Sequence, residues 1–536
     1  MARLHFFALG AVLLPSALAL PSNEPLELVV NNVEQRQYSE TVDRAQAVVD
    51  TFKISWEGYY KYAFPNDELN PVTNNFSNSR SAILFRLASF NLTNCCRNGW
   101  GASAVDALST ALVMEEKEIV NQILAHVPTI NWSKTDIEVS LFETTIRYLG
   151  GLISGYDFLN GPLAHLADNK DQVDALLAQS ITLANNLSYA FETPTGIPWN
   201  ELIFSNRSNV NAPNGLATVG TLILEWTRLA DLSGNETYAA LAEKSYEYLL
   251  NPQPAFGEPF PGLLGMSIDP NTGLFKDALG GWIGGADSYY EYLIKMYIYD
   301  PARFAYLKDA WTVAADSSIK YLTSHPKTKP NVTFLAYFNG TTLRERSQHL
   351  ACFDGGNFIL AGQTLGNQTY IDFGLALVDG CRLTYTSTAT GIGAEQFRWE
   401  SNVTVPANQA AYFAKSGTVI SDPTYNLRPE VIESYYYAYR ATKDTKYQDW
   451  AWEAFVAINS TTRVGSGYSS INDVNAPGGG GYSDFQESFW FAEVLKYSYL
   501  IQTEGSEEWQ VGDGGRDTWV FNTEAHPVRI VGGGKK

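Results

Sequence analysis

TLILEWTRLADLSGNETYAALAEKSYEYLL, residues 221 to 250, returns an apolar side chain every three to four positions. That interval is the period of an amphipathic helix. The same period recurs in ETVDRAQAVVDTFKISWEGYYKYAF (40–64), SAVDALSTALVMEEKEIVNQILAHV (103–127) and KDQVDALLAQSITLANNLSYAF (170–191), and again in SYYEYLIKMYIYD (288–300) and PEVIESYYYAYRATKDTKYQDWAWEAFVAI (429–458). Period-2 runs are scarce, so the class is mainly α. Helix pairs recur about every 50 to 70 residues, which predicts stacked αα-hairpins within one large domain. The 536-residue length alone would suggest several domains, but no linkers divide the chain. Gly/Pro-rich loops such as 251–275 and 471–485 separate the helices and can carry sites.

The first residues carry one early charge, Arg3, then an apolar run and Ala17-Leu18-Ala19. This order predicts a signal peptide over 1–19, followed by a short segment over 20–34. The run is too short for a membrane span, so a soluble, secreted protein with no membrane attachment after cleavage is expected. N-x-S/T sequons at Asn75, Asn91, Asn131, Asn186, Asn206, Asn235, Asn331, Asn339, Asn367, Asn402 and Asn459 agree with export and mark expected glycosylation sites. Of the four cysteines, Cys95 and Cys96 are adjacent and unsuited to bridging each other, whereas Cys352 and Cys381 could close a loop. A net charge of −20 argues against nucleic acid as a partner and for a monomeric surface. Aromatic residues make up 13% of the chain, which either sugar stacking or core packing explains.

The six histidines are scattered and no zinc, nucleotide or serine-nucleophile motif occurs. Carboxylates remain, and they stand at apolar helix starts. Glu143 in SLFETTIRYLGG has Arg147 one turn later, which suits a salt bridge or a general acid. In GGWIGGADSYYEYLIKMY, Asp287, near a helix start with Glu291 one turn on, either caps the helix or follows glycines that let a ligand approach the backbone. NLRPEVIESYYYAYR places Glu430 and Glu433 on one face of a first turn, and DFQESFWFAEVLKY sets Glu487 and Glu493 among aromatic rings. Each site alone reads as structural; together they point to a glycosidase working with two carboxyls.

FETTIRYLGGL, GADSYYEYLIK, HLACFDGGN, LRPEVIES, QESFWFAEVLKY and FNTEAHP, in this order between about residues 35 and 530, resemble the class I α-1,2-mannosidases of glycoside hydrolase family 47. The resemblance implies an (α/α)7 barrel over 35–530 with a C-terminal β-hairpin entering one end, and a flexible tail over 531–536. It implies calcium-dependent, inverting removal of terminal α-1,2-linked mannose from high-mannose glycans. Glu143 would be the proton donor, directly or through a water, Glu430 the base, and Asp287 a third acid sharing the donor's task. Thr523 would be the direct protein ligand of Ca2+, with Glu433, Glu487 and Glu524 holding its waters. Arg147, Glu291, His349, Glu395 and Arg428 would line the sugar pocket, and Cys352 and Cys381 would form the disulfide. Two departures stand out. Gly285 replaces the arginine of members that stop after one mannose, so several mannoses should be removed. Ser109 stands where many members have aspartate, while Asp106 remains. A lectin of the same fold is the rival, but it should lack one of the three essential acids. A polysaccharide lyase would favour a Tyr, His or Lys base.

Overall fold

An amphipathic helix has to cover its apolar stripe, and here fourteen helices do so by alternating between two concentric rings. The computed structural model describes residues 41–78, 98–135, 137–503, 505, 507–512 and 517–531. The expected signal peptide, the 20–34 segment, Asn91, Cys95 and Cys96 lie outside the described residues. The outer ring consists of α1 (Thr41–Tyr62), α3 (Lys117–His126), α5 (Lys170–Leu187), α7 (Thr237–Glu243), α9 (Ala305–Ser317), α11 (Gln368–Thr386) and α13 (Lys446–Thr462). The inner ring consists of α2 (Ala102–Val113), α4 (Gly150–Leu159), α6 (Ile223–Ser233), α8 (Asp287–Tyr299), α10 (Phe353–Leu365), α12 (Glu430–Thr442) and α14 (Leu495–Leu500). Each inner helix packs against the outer helix that follows it, and α14 packs against α1, which closes the ring. This is the expected (α/α)7 arrangement. The opening stretch supplies α6 and α7, an inner helix and its outer partner.

Local chemistry sets the helix ends. Asn169 and Asn367 cap α5 and α11 by accepting the N–H of Asp171 and Thr369. Asp67 accepts the backbone N–H groups of Gly99, Trp100, Gly101 and Ala102 and the Tyr148 hydroxyl, which places a carboxylate at the positive end of α2. The Cys352–Cys381 disulfide forms as the resemblance implied and ties the start of α10 to α11. The largest fully buried side chains are aromatic, Trp132, Trp226, Trp282, Trp311 and Trp490 foremost, so packing accounts for much of the aromatic surplus.

The hairpin of β1 (Trp519–Phe521) and β2 (Pro527–Arg529) pairs Val520 with Val528. It enters at the C-terminal ends of the inner helices: Trp519 stacks on Phe158 of α4, and Val531 N–H donates to Tyr299 O of α8 at 2.9 Å. The anchored chain thus runs one residue past the expected boundary at 530. Of the sequons, Asn75, Asn131, Asn206, Asn235, Asn331, Asn339 and Asn402 are exposed, while Asn186, Asn367 and Asn459 are partly buried. The Asn186 amide nitrogen is enclosed, so a glycan there would displace the packing around it.

Candidate active site

Inner helices α8, α10 and α12, together with the helical runs that lead into α4 and α14, turn their N-termini toward one cavity of about 560 Å3. That volume is in the range of small-ligand sites. Positive helix ends favour carboxylates placed there. Glu143, Asp287 and Glu430 each sit within the first turn of such a run and line the cavity, with Arg147, Glu291, Glu433, Glu493, Thr523 and Glu524. Its aromatic lining is limited to Phe142, Phe353 and Phe489. A wider groove of about 910 Å3 on the outer wall, beside Tyr60 and His126, holds none of the residues singled out in the sequence.

Ser140 begins the helical run with its hydroxyl accepting Glu143 N–H at 3.2 Å, the first half of a capping box. The Glu143 carboxylate takes Arg147 Nε at 2.8 Å. Both the salt bridge and the cavity position foreseen for this pair are therefore present at once. The segment Thr144–Leu149 is a π-helix, as is Trp490–Val494 ahead of α14. Such widened turns are frequent at functional sites, and these two carry Arg147 and Glu493 to the cavity.

Glu430 and Asp287 have opposite environments. Burial works against charge on Glu430, but the His349 Nδ1 hydrogen bond at 2.6 Å and the charges of His349 and Arg428 outweigh it and hold the carboxyl below the usual range. His349 is fixed in turn by the Tyr385 hydroxyl at 2.6 Å, and Arg428 by Glu395 at 2.7 Å. His349 and Glu395 thus stand behind the cavity wall and support Glu430 and Arg428 rather than lining it. Asp287 has a hydrogen bond from Ser288 N–H at 2.9 Å, but burial, with Glu291 and Glu430 adding, pushes it up to about 7.

The floor is the tip of the hairpin. Asn522 organises it: its Oδ1 accepts the N–H groups of Glu524 and His526, and its Nδ2 donates to Ile146 O at 2.9 Å and Glu225 at 2.8 Å. Thr523 then faces the cavity and donates its N–H to the Tyr292 hydroxyl at 3.2 Å. Carboxylates crowd this floor. Burial, with Glu291 next, pushes Glu433 up to about 8; burial, with Glu524, Glu430 and Glu433, raises Glu493 as well. A bound cation would relieve that crowding. Among the described residues no three His, Cys, Asp or Glu side chains converge to hold a metal ion themselves. Thr523 lies among these carboxylates, so its oxygens and their neighbours offer the hard oxygen donors that a cation such as Ca2+ would take. Glu487 is fully buried and lies off the cavity wall.

Sequence reasoning passed over Glu225, Lys295 and Lys496. Glu225, pushed by burial up to about 7, takes Asn522 and the Tyr292 hydroxyl at 2.6 Å. Lys295 pairs with Glu291 and so holds an acid of the cavity wall. An acid within an otherwise regular apolar stripe was the one available signal for Glu225.

The sequence model of Glycosyl hydrolase family 47 matches residues 51–530. The chain is 53% identical to the mannosyl-oligosaccharide α-1,2-mannosidase of Coccidioides posadasii over 98% of both chains. It is 52% identical to the enzyme of that name from Penicillium citrinum over 97% of both. The solved α-1,2-mannosidase from Trichoderma reesei superposes with a TM-score of 0.85 at 49% identity, covering 91% of this chain and 99% of that one.

Proposed function

Because the chain belongs to glycosyl hydrolase family 47, we propose that this mannosyl-oligosaccharide α-1,2-mannosidase is a secreted monomer that trims high-mannose N-glycans with inversion. The observation that carries the mechanism is that Glu430 and Asp287 face one cavity from opposite environments, Glu430 hydrogen-bonded to His349 beside Arg428 and held down, Asp287 buried beside Glu291 and pushed up. Glu430 takes a proton from the attacking water, aligned by His349 and Arg428. The water oxygen bonds to the anomeric carbon as the glycosidic bond breaks, and the departing oxygen receives the proton that Asp287 stores. Glu143, ion-paired with Arg147, aligns the water or hydroxyl through which that proton passes. Inversion requires room for a water between base and sugar, with acid and base carboxyls about 6.5–9.5 Å apart.

Thr523 is the residue that would hold a calcium ion, with Glu433, Glu487 and Glu524 holding its waters. When bound, such an ion supplies a fixed anchor for sugar hydroxyls. Gly285 lines the cavity with the Met266 methyl beside it, and the lack of a long basic side chain at this position is the ground for proposing removal of several residues from one glycan.

The test is incubation with α-1,2-mannobiose and a high-mannose glycan, followed by proton NMR. β-Mannose should appear first and then mutarotate. Chelation should abolish release and calcium restore it. α-Mannose as the first product would refute inversion, and full activity in chelator would refute the metal assignment.

A further inference from the structure

Behind the cavity floor lies a buried cluster whose hydrogen-bond directions can be assigned from chemistry alone. Lys496 Nζ lies 2.8 Å from Ser109 Oγ and 2.5 Å from Ala525 O. Ser109 Oγ lies 2.8 Å from His526 Nδ1, and His526 Nε2 lies 3.3 Å from Asp106 Oδ1. All four residues are fully buried. A carboxylate can only accept, so His526 carries its single proton on Nε2 and donates to Asp106. Its bare Nδ1 receives from the Ser109 hydroxyl. Ser109 in turn accepts from Lys496, which burial pushes down to about 7 and which donates as ammonium or as amine. Asp106 also accepts from the Ser488 hydroxyl and faces Arg147 Nη1 at 3.6 Å. Arg147 Nη1 reaches Glu524 at 2.8 Å, and Nε reaches Glu143. The chain of contacts thus runs without a break from α14 through α2 and the hairpin to the cavity wall. Burial holds the His526 imidazole down at about 4, in keeping with the neutral ring that this ordering demands.

We propose that Ser109, His526 and Asp106 form a one-directional hydrogen-bond chain that fixes Arg147 and, through it, aims the Glu143 carboxylate at the leaving-group side of the reaction. Ser109 and His526 are positioning residues: neither lines the cavity. The serine is what gives the chain its direction. An aspartate at 109 would accept from Lys496 but have no proton for Nδ1, so it would demand a doubly protonated ring. The proposal rests on the reading that Glu143 serves the departing oxygen.

Two measurements test it. In the wild-type enzyme labelled with 15N-histidine, His526 should show a protonated Nε2 and a bare Nδ1 from pH 5 to 8. The opposite tautomer, or a titration in that interval, overturns the assignment. Ser109→Ala should lower kcat on α-1,2-mannobiose about tenfold with KM within twofold, yet leave α-mannosyl fluoride hydrolysis within twofold, because fluoride departs with little need of a proton. Equal losses on both substrates, or no loss on either, overturn the positioning role. Glu143→Gln on the same pair separates the two claims. If its loss depends on the leaving group and that of Ser109→Ala does not, the hydrogen-bond chain alone fails. If its own loss does not depend on it, the reading of Glu143 fails.

Discussion

Asp287 and Glu430 are told apart by their neighbours, and the pH profile should record it. Asp287 has to keep its proton, so the rate should fall as pH rises through about 7. Glu430 has to be ionised, and His349 with Arg428 keeps it so below the ordinary glutamate range. The acid limb should therefore lie below the ordinary glutamate range. His349→Ala removes the hydrogen bond that offsets burial, so its acid limb should move to higher pH; an unmoved limb would assign it to another group. Glu430→Gln should lower kcat by about 10^2- to 10^4-fold, as expected when the base is lost. At this scale the residue pattern exposed the acids, while the resemblance named His349 and Glu395 as pocket lining rather than as the supports they are. Glu143, Asp287 and Glu430 stand out as charges at apolar helix starts. Lys496 and His526 do not, because their partners lie far away along the chain: His526 meets Asp106 across 420 positions. No local pattern encodes a contact of that range.

Helices were the most legible elements, since a 3.6 period follows from one face being buried wherever the other face points. Where a helix has to let another element approach, the sequence says it with glycine. A Cβ on Gly150 would come within 2.6 Å of Asn522 Nδ2, and one on Gly151 within 2.8 Å of Val105. The Gly-Gly pair in FETTIRYLGGL thus clears a path for the hairpin and for α2. Gly150 has ordinary helical angles, so alanine would normally be favoured there by about 1 kcal/mol. We expect the collision to reverse the sign: Gly150→Ala should destabilise by about 1–3 kcal/mol in denaturant titrations. It should also reduce kcat, because Asn522 sets the height of Thr523. A more stable, fully active variant would show that the hairpin tolerates displacement. The hairpin itself is short and flanked by a Gly- and Asp-rich stretch, so period-2 alternation could not announce it; only the resemblance placed it in the barrel.

For the whole molecule, ring closure distributes stability around the barrel, and one covalent link reinforces it. The disulfide spans 29 positions between the start of α10 and α11. By the loop-entropy estimate it contributes about 3–4 kcal/mol. Cys381→Ser should lose stability of that order while leaving KM within twofold, because neither sulfur touches the cavity. Stacked helix pairs in one domain were readable from their recurrence, whereas the sevenfold (α/α)7 ring came only from the resemblance that the ordered motifs carry. Which helix closes the ring was not readable, because α1 and α14 stand at opposite ends of the barrel sequence and share no repeat. Timing during biosynthesis follows from the hairpin's place in the chain. Residues 519–529 are translated after every helix of both rings, yet they form the cavity floor. At about 5–20 residues per second, the stretch from Glu430 to Thr523 takes on the order of 5 to 20 seconds to translate. During that delay Glu143, Asp287 and Glu430 have all been made while the floor they face has not, so the proposed role of Thr523 implies that the nascent cavity cannot act before the hairpin emerges.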